Sequence, residues 1–183
     1  MTDETLVLRH PKLLSLYAFW LEQCAGAPLP LASALNPTGL RPWLGNLLIM
    51  DVVRNADFVY SYYGQSFSDS FGGDRVGQSI ARLPEPQGDI LRAEYDRVRT
   101  EVRPVARVYS ADFDGVPSTW ERLVLPLTED GSTVGKLLVG AYKLDRPHPV
   151  ATGAPRTLGK PVEIRPRAGR VLTKIYHWET ERR

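Results

Sequence analysis

Three extended runs follow one another with almost nothing between them: RPVARVYSADF from Arg103, STWERLVLPLT from Ser118 and TVGKLLVGAYKL from Thr133. Each is rich in β-branched and aromatic residues, the composition of a pleated, half-buried surface. The second connector is EDGS, and Asp-Gly tolerates the positive φ angles that a tight hairpin requires. The first is a turn bearing Asp112 and Asp114 ahead of Gly115, a setting where acids are common. Connectors this short join antiparallel neighbours, so the three runs read as a meander. Pro126 inside the second run predicts an edge or a bulge, because proline has no amide hydrogen for a ladder.

Upstream of the meander the pattern alternates between periods. HPKLLSLYAFWLEQCAG places Leu13, Leu16, Tyr17, Trp20, Leu21 and Cys24 on one helical face, with Pro11 in the first turn and Gly26 at the stop. Leu14 and Phe19 widen that apolar surface. APLPLASALNP is an extended linker. Asn36 then reads as an N-cap, with Pro37 opening a short helix to about Leu44. NLLIMDVV reads as a buried strand, Asn55 and Asp57 bracket a turn, and FVYSYY is the partner strand. Strict alternation along that partner puts Phe58, Tyr60 and Tyr62 on one face, with Val59, Ser61 and Tyr63 on the other. Helical turns are predicted near Ser66–Phe71 and Val76–Leu83, then a longer helix whose stripe is Leu91, Tyr95, Val98 and Val102. The order is two helices, two strands, three helical pieces and three strands. It predicts an α+β fold, a five-stranded antiparallel sheet with helices on one face.

Charge divides the chain. Residues 1–144 hold 14 Lys+Arg against 17 Asp+Glu, net −3, whereas residues 145–183 hold 9 against 4, net +5, which together recover the overall +2. The body therefore lacks the footprint of a nucleic-acid-binding domain. The reading divides the chain into an N-terminal helix with linker (1–35), a central domain (36–144) and a basic Pro/Gly-rich tail (145–183). Within the tail, RVLTKIYHWETERR places Val171, Leu172, Ile175 and Tyr176 at roughly helical spacing. That segment can dock on the protein's own sheet or on a second copy. Its basic residues beside Tyr176, His177 and Trp178 can alternatively meet a nucleic-acid backbone, a reading the rest of the chain does not favour. The single cysteine excludes an internal disulfide, and no run is long and apolar enough to span a bilayer. With no signal-peptide pattern at the N-terminus, the expected location is cytoplasmic.

The stretches HPKLLSLYAFWLEQCAGAPLP, NPTGLRPWLGNLLIMDV, FVYSYYGQSF, FGGDRVGQSI and ERLVLPLTEDGSTVGKLLVG occur in an order that resembles the PAS-domain superfamily. The resemblance is to a bacterial group of small, mostly single-PAS proteins once catalogued as a family of unknown function. It covers roughly residues 10–142. It implies a sensory or regulatory domain with a cleft between sheet and central helices, and frequent dimerisation through flanking segments. It names no ligand. Haem-binding and photoactive flavin-binding PAS domains use a pocket histidine or cysteine. Here His10, His148, His177 and Cys24 all lie outside the expected core, so neither cofactor is supported.

Chemistry-bearing patterns are few. FGGDRVGQS matches neither phosphate-binding glycine motif, and Gly72 and Gly73 read as a turn, with Asp74 capping the next helix. No core histidine is available to a nucleophilic serine or cysteine, and no His/Cys set has zinc-ligand spacing, so the expectation is a non-enzyme without a metal. The candidate ligand site is Phe58, Tyr60, Tyr62, Phe67 and Phe71, with Leu91 and Tyr95 from the long helix and Arg107 and Tyr109 from the next strand. Tyrosines suit a mostly apolar pocket with a few polar contacts, or plain core packing. Arg103, Arg107 and Arg122 are the candidate cations; Arg107 offers a fork for a carboxylate if it faces the cleft. Arg92, Arg97, Arg99 and Arg103 with Glu94, Asp96 and Glu101 read as a solvated mixed-charge helix face. Leu13, Leu16, Tyr17 and Trp20 are the candidate interface of a homodimer. The output of such a protein would pass to a signalling partner.

Overall fold

A computed structural model describes residues 8–113, 116–144 and 172–178, with the backbone alone described at 55, 110–113, 116–117 and 172–178. Asp114, His148 and the tail's Pro/Gly-rich stretch lie outside them. The helices are α1 (Pro11–Cys24), α2 (Pro37–Leu40), α3 (Gln65–Phe71) and α4 (Gln87–Glu101). The strands are β1 (Leu47–Val53), β2 (Asp57–Tyr63), β3 (Val105–Phe113), β4 (Val116–Thr128), β5 (Val134–Leu144) and β6 (Leu172–Trp178). They form one antiparallel sheet in the order β2-β1-β5-β4-β3-β6. Five strands come from the expected pattern. The sixth, β6, is where helical spacing was read in the tail; its backbone pairs with β3 instead, Val108 opposite Trp178 through Phe113 opposite Leu172.

Register assigns every strand residue to a face, since residues opposite each other project to the same side. On one face lie Leu48 and Met50, Leu137 and Val139, Trp120, Arg122 and Val124, and Val105, Arg107 and Tyr109. This face is covered by α3 and α4. The other face carries Leu47, Gly140, Leu123 and Leu125, and α1 packs on it. The N-terminal helix α1 thus lies on the face opposite α3 and α4. Leu13, Leu16 and Trp20 are 0%, 0% and 4% exposed. The Trp20 indole donates to the Pro126 carbonyl at 3.0 Å. This corrects the interface assignment for these three residues: their stripe is spent on the chain's own sheet, while Tyr17 is half-buried beside Trp20.

Local chemistry places the ends of α1. Pro11 occupies its first turn, His10 caps it by accepting from the Lys12 amide at 3.2 Å, and Ala25 ends it in the left-handed region at φ 49°. The buried Glu121 carboxylate on β4 accepts the Arg9 amide at 3.0 Å and the His10 amide at 2.7 Å, placing negative charge at the helix's positive end. Asn36 caps α2 through the Gly39 amide. Pro126 lies in a central strand, but β3 begins only opposite Val124, so no β3 residue needs its missing amide. Two residues on, the Pro30 carbonyl accepts from the Thr128 amide at 3.1 Å.

Candidate functional site

The cleft between the α3/α4 layer and the sheet is built from five elements, α3, α4, β2, β3 and β4. α4 presents Leu91, Glu94, Tyr95 and Val98, spaced i, i+3, i+4 and i+7, as its buried stripe. Val102, expected in that stripe, is instead the exposed residue at the helix's left-handed end, φ 53°. Glu94 was read as part of a solvated face. The spacing that buries Leu91 and Val98 buries Glu94 as well, and that signal was available in the sequence.

Glu94 is 6% exposed and meets Arg122 of β4, itself 8% exposed. Arg122 donates from Nε to Glu94 Oε1 at 3.0 Å and from Nη2 to Oε2 at 2.8 Å, a bidentate fork. Arg107 joins from β3, its Nε 3.6 Å from Glu94 Oε2. The Arg122 guanidinium carbon stands 5.2 Å from the centre of the Tyr109 ring. Burial works against the charge on Arg122, but the Glu94 carboxylate overrides it and holds the guanidinium firmly protonated. Arg107 therefore faces the cleft alongside Tyr109. Arg103 does not join it: it is paired with Glu101 on the surface.

Aromatic rings surround this polar floor. Tyr60 packs on Tyr63 at 5.2 Å, Tyr63 on Phe67 at 5.8 Å, Phe67 on Phe71 at 6.2 Å and Phe71 on Trp120 at 6.0 Å between ring centres. Phe58 meets Tyr95 edge-on at 5.4 Å. Burial raises the phenol pKa of Tyr60 and Tyr95 strongly, and that of Tyr109 to about 12 despite the nearby Arg122. Among the described residues, one buried side-chain nitrogen or oxygen has no hydrogen-bond partner: Trp120 Nε1. Such an orphaned donor costs about 1–3 kcal/mol.

Of the candidate ligand residues, Phe58, Tyr60, Phe67, Phe71, Leu91, Tyr95, Arg107 and Tyr109 meet around this cleft. Tyr62 does not. Tyr60 lies opposite Met50, but Tyr62 lies opposite Ile49, so Ser61 is an extra residue in β2. This bulge reverses the expected alternation: Tyr63 joins the cleft, and the Tyr62 hydroxyl on the far face donates to the Leu44 carbonyl at 3.1 Å. Sequence reasoning also missed Trp120, which strand alternation places on the same face as Arg122.

The segment after α3 closes one end. Gly72 and Gly73 take φ angles of 82° and 109°, the tight corner expected of them. Asp74 accepts from the Val76 amide as a local turn, and Ser79, not Asp74, caps the short helical turn Ile80–Arg82. The chain then runs beside β2, the Tyr60 amide donating to Gln78 and the Gly77 amide to Tyr60. Asp57 ties these pieces together, accepting from Ser79 Oγ at 2.6 Å and from Arg92 Nη2 of α4 at 3.0 Å.

Cys24 lies on α1, across the sheet from the cleft, and no group of three or more metal-ligating side chains occurs among the described residues. No described helix is long and apolar enough to cross a membrane. No curated protein matches the chain. Ten solved chains match, and one of them is a light-oxygen-voltage domain studied with a flavin analogue, at 16% identity and a TM-score of 0.45, over 60% of this chain and 84% of that one. The profile of the PAS domain family matches residues 8–143. With that match spanning most of its length, this chain belongs to the PAS domain family.

Proposed function

We propose that this protein is a sensory PAS protein that takes a small organic ligand into the cleft and passes the signal to a protein partner. One observation carries the reading: a buried Arg122–Glu94 pair, joined by Arg107, at the centre of an aromatic cleft. Desolvating such a pair offsets most of its Coulombic gain, and an apolar replacement of equal volume is often as stable. Its presence is therefore better accounted for by recognition than by stability. Because α4 carries Glu94 and the sheet carries both arginines, a ligand that competes for these groups biases how α4 sits on the sheet. Signalling follows only if the ligand's affinity differs between the two arrangements.

A second reading, a ligand-free interaction adaptor, is favoured by the near-complete burial of Phe58, Tyr60 and Tyr95, which fill much of the space themselves. Native mass spectrometry of the freshly purified protein against its denatured mass separates the two. A discrete mass lost on denaturation supports the sensor. A bare mass, with no small molecule able to shift the thermal midpoint, supports the adaptor. We place the protein in the cytoplasm as a homodimer; its interface lies elsewhere than the buried stripe of α1, and the same spectrum reads the stoichiometry. No catalytic role is proposed.

A further inference from the structure

Among the described residues, the cleft holds one buried polar side-chain atom without a hydrogen-bond partner, and the neighbourhood of that atom narrows what belongs there. Trp120 is 7% exposed, and its Nε1–H is a donor with no acceptor function. Arg122 lies two residues along the same face of β4, about 7 Å away along the strand. Glu94 engages its Nε and one Nη2 hydrogen, two of the five N–H donors a guanidinium carries. An indole donor and a guanidinium thus lie on one face of β4, and a series of ring contacts, Tyr60 to Tyr63 to Phe67 to Phe71, ends on the indole. Donors in this pairing suit an anionic acceptor with two oxygens, and the rings suit a flat body.

We infer that the ligand class of this cleft is the small planar organic acid, its carboxylate accepting from Trp120 Nε1 and from Arg122 while its ring or conjugated body lies among the aromatic side chains. This rests on the ligand-binding reading above and adds the chemistry. Entry follows from what covers the indole. Phe71, the last residue of α3, packs on Trp120, and Gly72 and Gly73 behind it adopt positive φ. Displacing the Phe71 ring opens the path to Nε1, and the glycine pair absorbs the backbone change at little steric cost. A neutral amide of the same shape presents N–H groups where the site also has N–H groups, so the cleft discriminates against it.

The test is a titration of the full-length chain labelled with nitrogen-15, following the indole N–H signals of Trp20, Trp43, Trp120 and Trp178, with Trp120→Phe used for assignment. The probes are benzoate, phenylacetate, cinnamate and indole-3-acetate, with benzamide as the neutral control. The expected result is a saturable downfield shift of the Trp120 signal with at least one acid. Benzamide should bind at least roughly tenfold more weakly, and Trp120→Phe should weaken the responding acid by about tenfold. If Trp120→Phe fails to fold, sequential backbone assignment connected to each indole N–H identifies the Trp120 signal, and the amide comparison decides. The inference is overturned if no acid moves the Trp120 signal, or if benzamide binds as tightly as the acids. A native mass spectrum of the same preparation separates the two levels of failure. A bound small molecule together with an unresponsive acid panel removes the acid assignment alone; a bare mass with no response to any probe removes the ligand-binding reading too.

Discussion

Glu94 shows how much one side chain decides. Replacing it with glutamine keeps the shape but leaves Arg122 buried without a charged partner, so Glu94→Gln should lower the unfolding free energy by about 3–5 kcal/mol in urea denaturation. Converting the pair together, Glu94→Leu with Arg122→Met, should cost less than Glu94→Gln alone, since the Arg122 charge is then no longer stranded. Alkaline pH probes the neighbouring phenols. Burial pushes the Tyr109 phenol up to about 12 in the folded protein against 10 for a free phenol, and raises Tyr60 and Tyr95 as well. Between those values the unfolded chain has released the proton and the folded one has not. Stability from these groups is therefore whole below about pH 10 and is lost as pH rises toward 12. Urea midpoints should fall steeply across that window, and a flat profile would show that these tyrosines are solvated. At this scale the sequence was partly legible. Glu94 was readable from its spacing between Leu91 and Val98, whereas the pairing of Arg122 with it joins residues 28 apart, which no local pattern encodes.

At the scale of elements, α1 and β5 meet with no room to spare. A Cβ added at Gly140 would lie 2.7 Å from Leu16 Cδ2 and 3.0 Å from Leu13 Cδ2, both fully buried. Gly140→Ala should therefore destabilise by about 1–3 kcal/mol through overpacking, read from thermal or urea unfolding. Leu16→Asp should unfold the protein and not yield a folded monomer, because the helix is part of the core. Gly64 is tighter still: its Cβ would approach the Gly45 carbonyl oxygen to 2.5 Å, and backbone cannot swing aside as a side chain can. Element types were written in the local periods, and caps such as Asn36 marked their ends. The face of each element was not always so legible. Whether α1 covers its own sheet or another copy is a matter of where Gly140 lies, and one inserted residue at Ser61 exchanges Tyr62 for Tyr63 in the cleft.

For the whole molecule, the sixth strand makes a separable claim. A chain ending at Leu144 keeps the five-stranded sheet and both helical layers, and should still unfold cooperatively. Amide exchange should then accelerate along β3 between Val108 and Phe113, which β6 pairs in the full chain, while β1 and β5 keep their protection. Unchanged exchange in β3 would show that β6 contributes nothing to that edge. The truncation also removes the +5 tail from a body of net −3, so the two halves of the charge pattern can be examined apart.

By itself the sequence determined the antiparallel meander, the succession of helices and strands, and the PAS layout, because periodicity, caps and turn residues act over a few neighbours. Only the tertiary structure decided that α1 lies on the opposite face from α4, that the tail segment returns as an edge strand, and that Arg107, Arg122 and Glu94 converge beneath an unsatisfied Trp120. Those outcomes depend on register and on contacts between residues far apart in the chain, whose energies appear only once the sheet has closed.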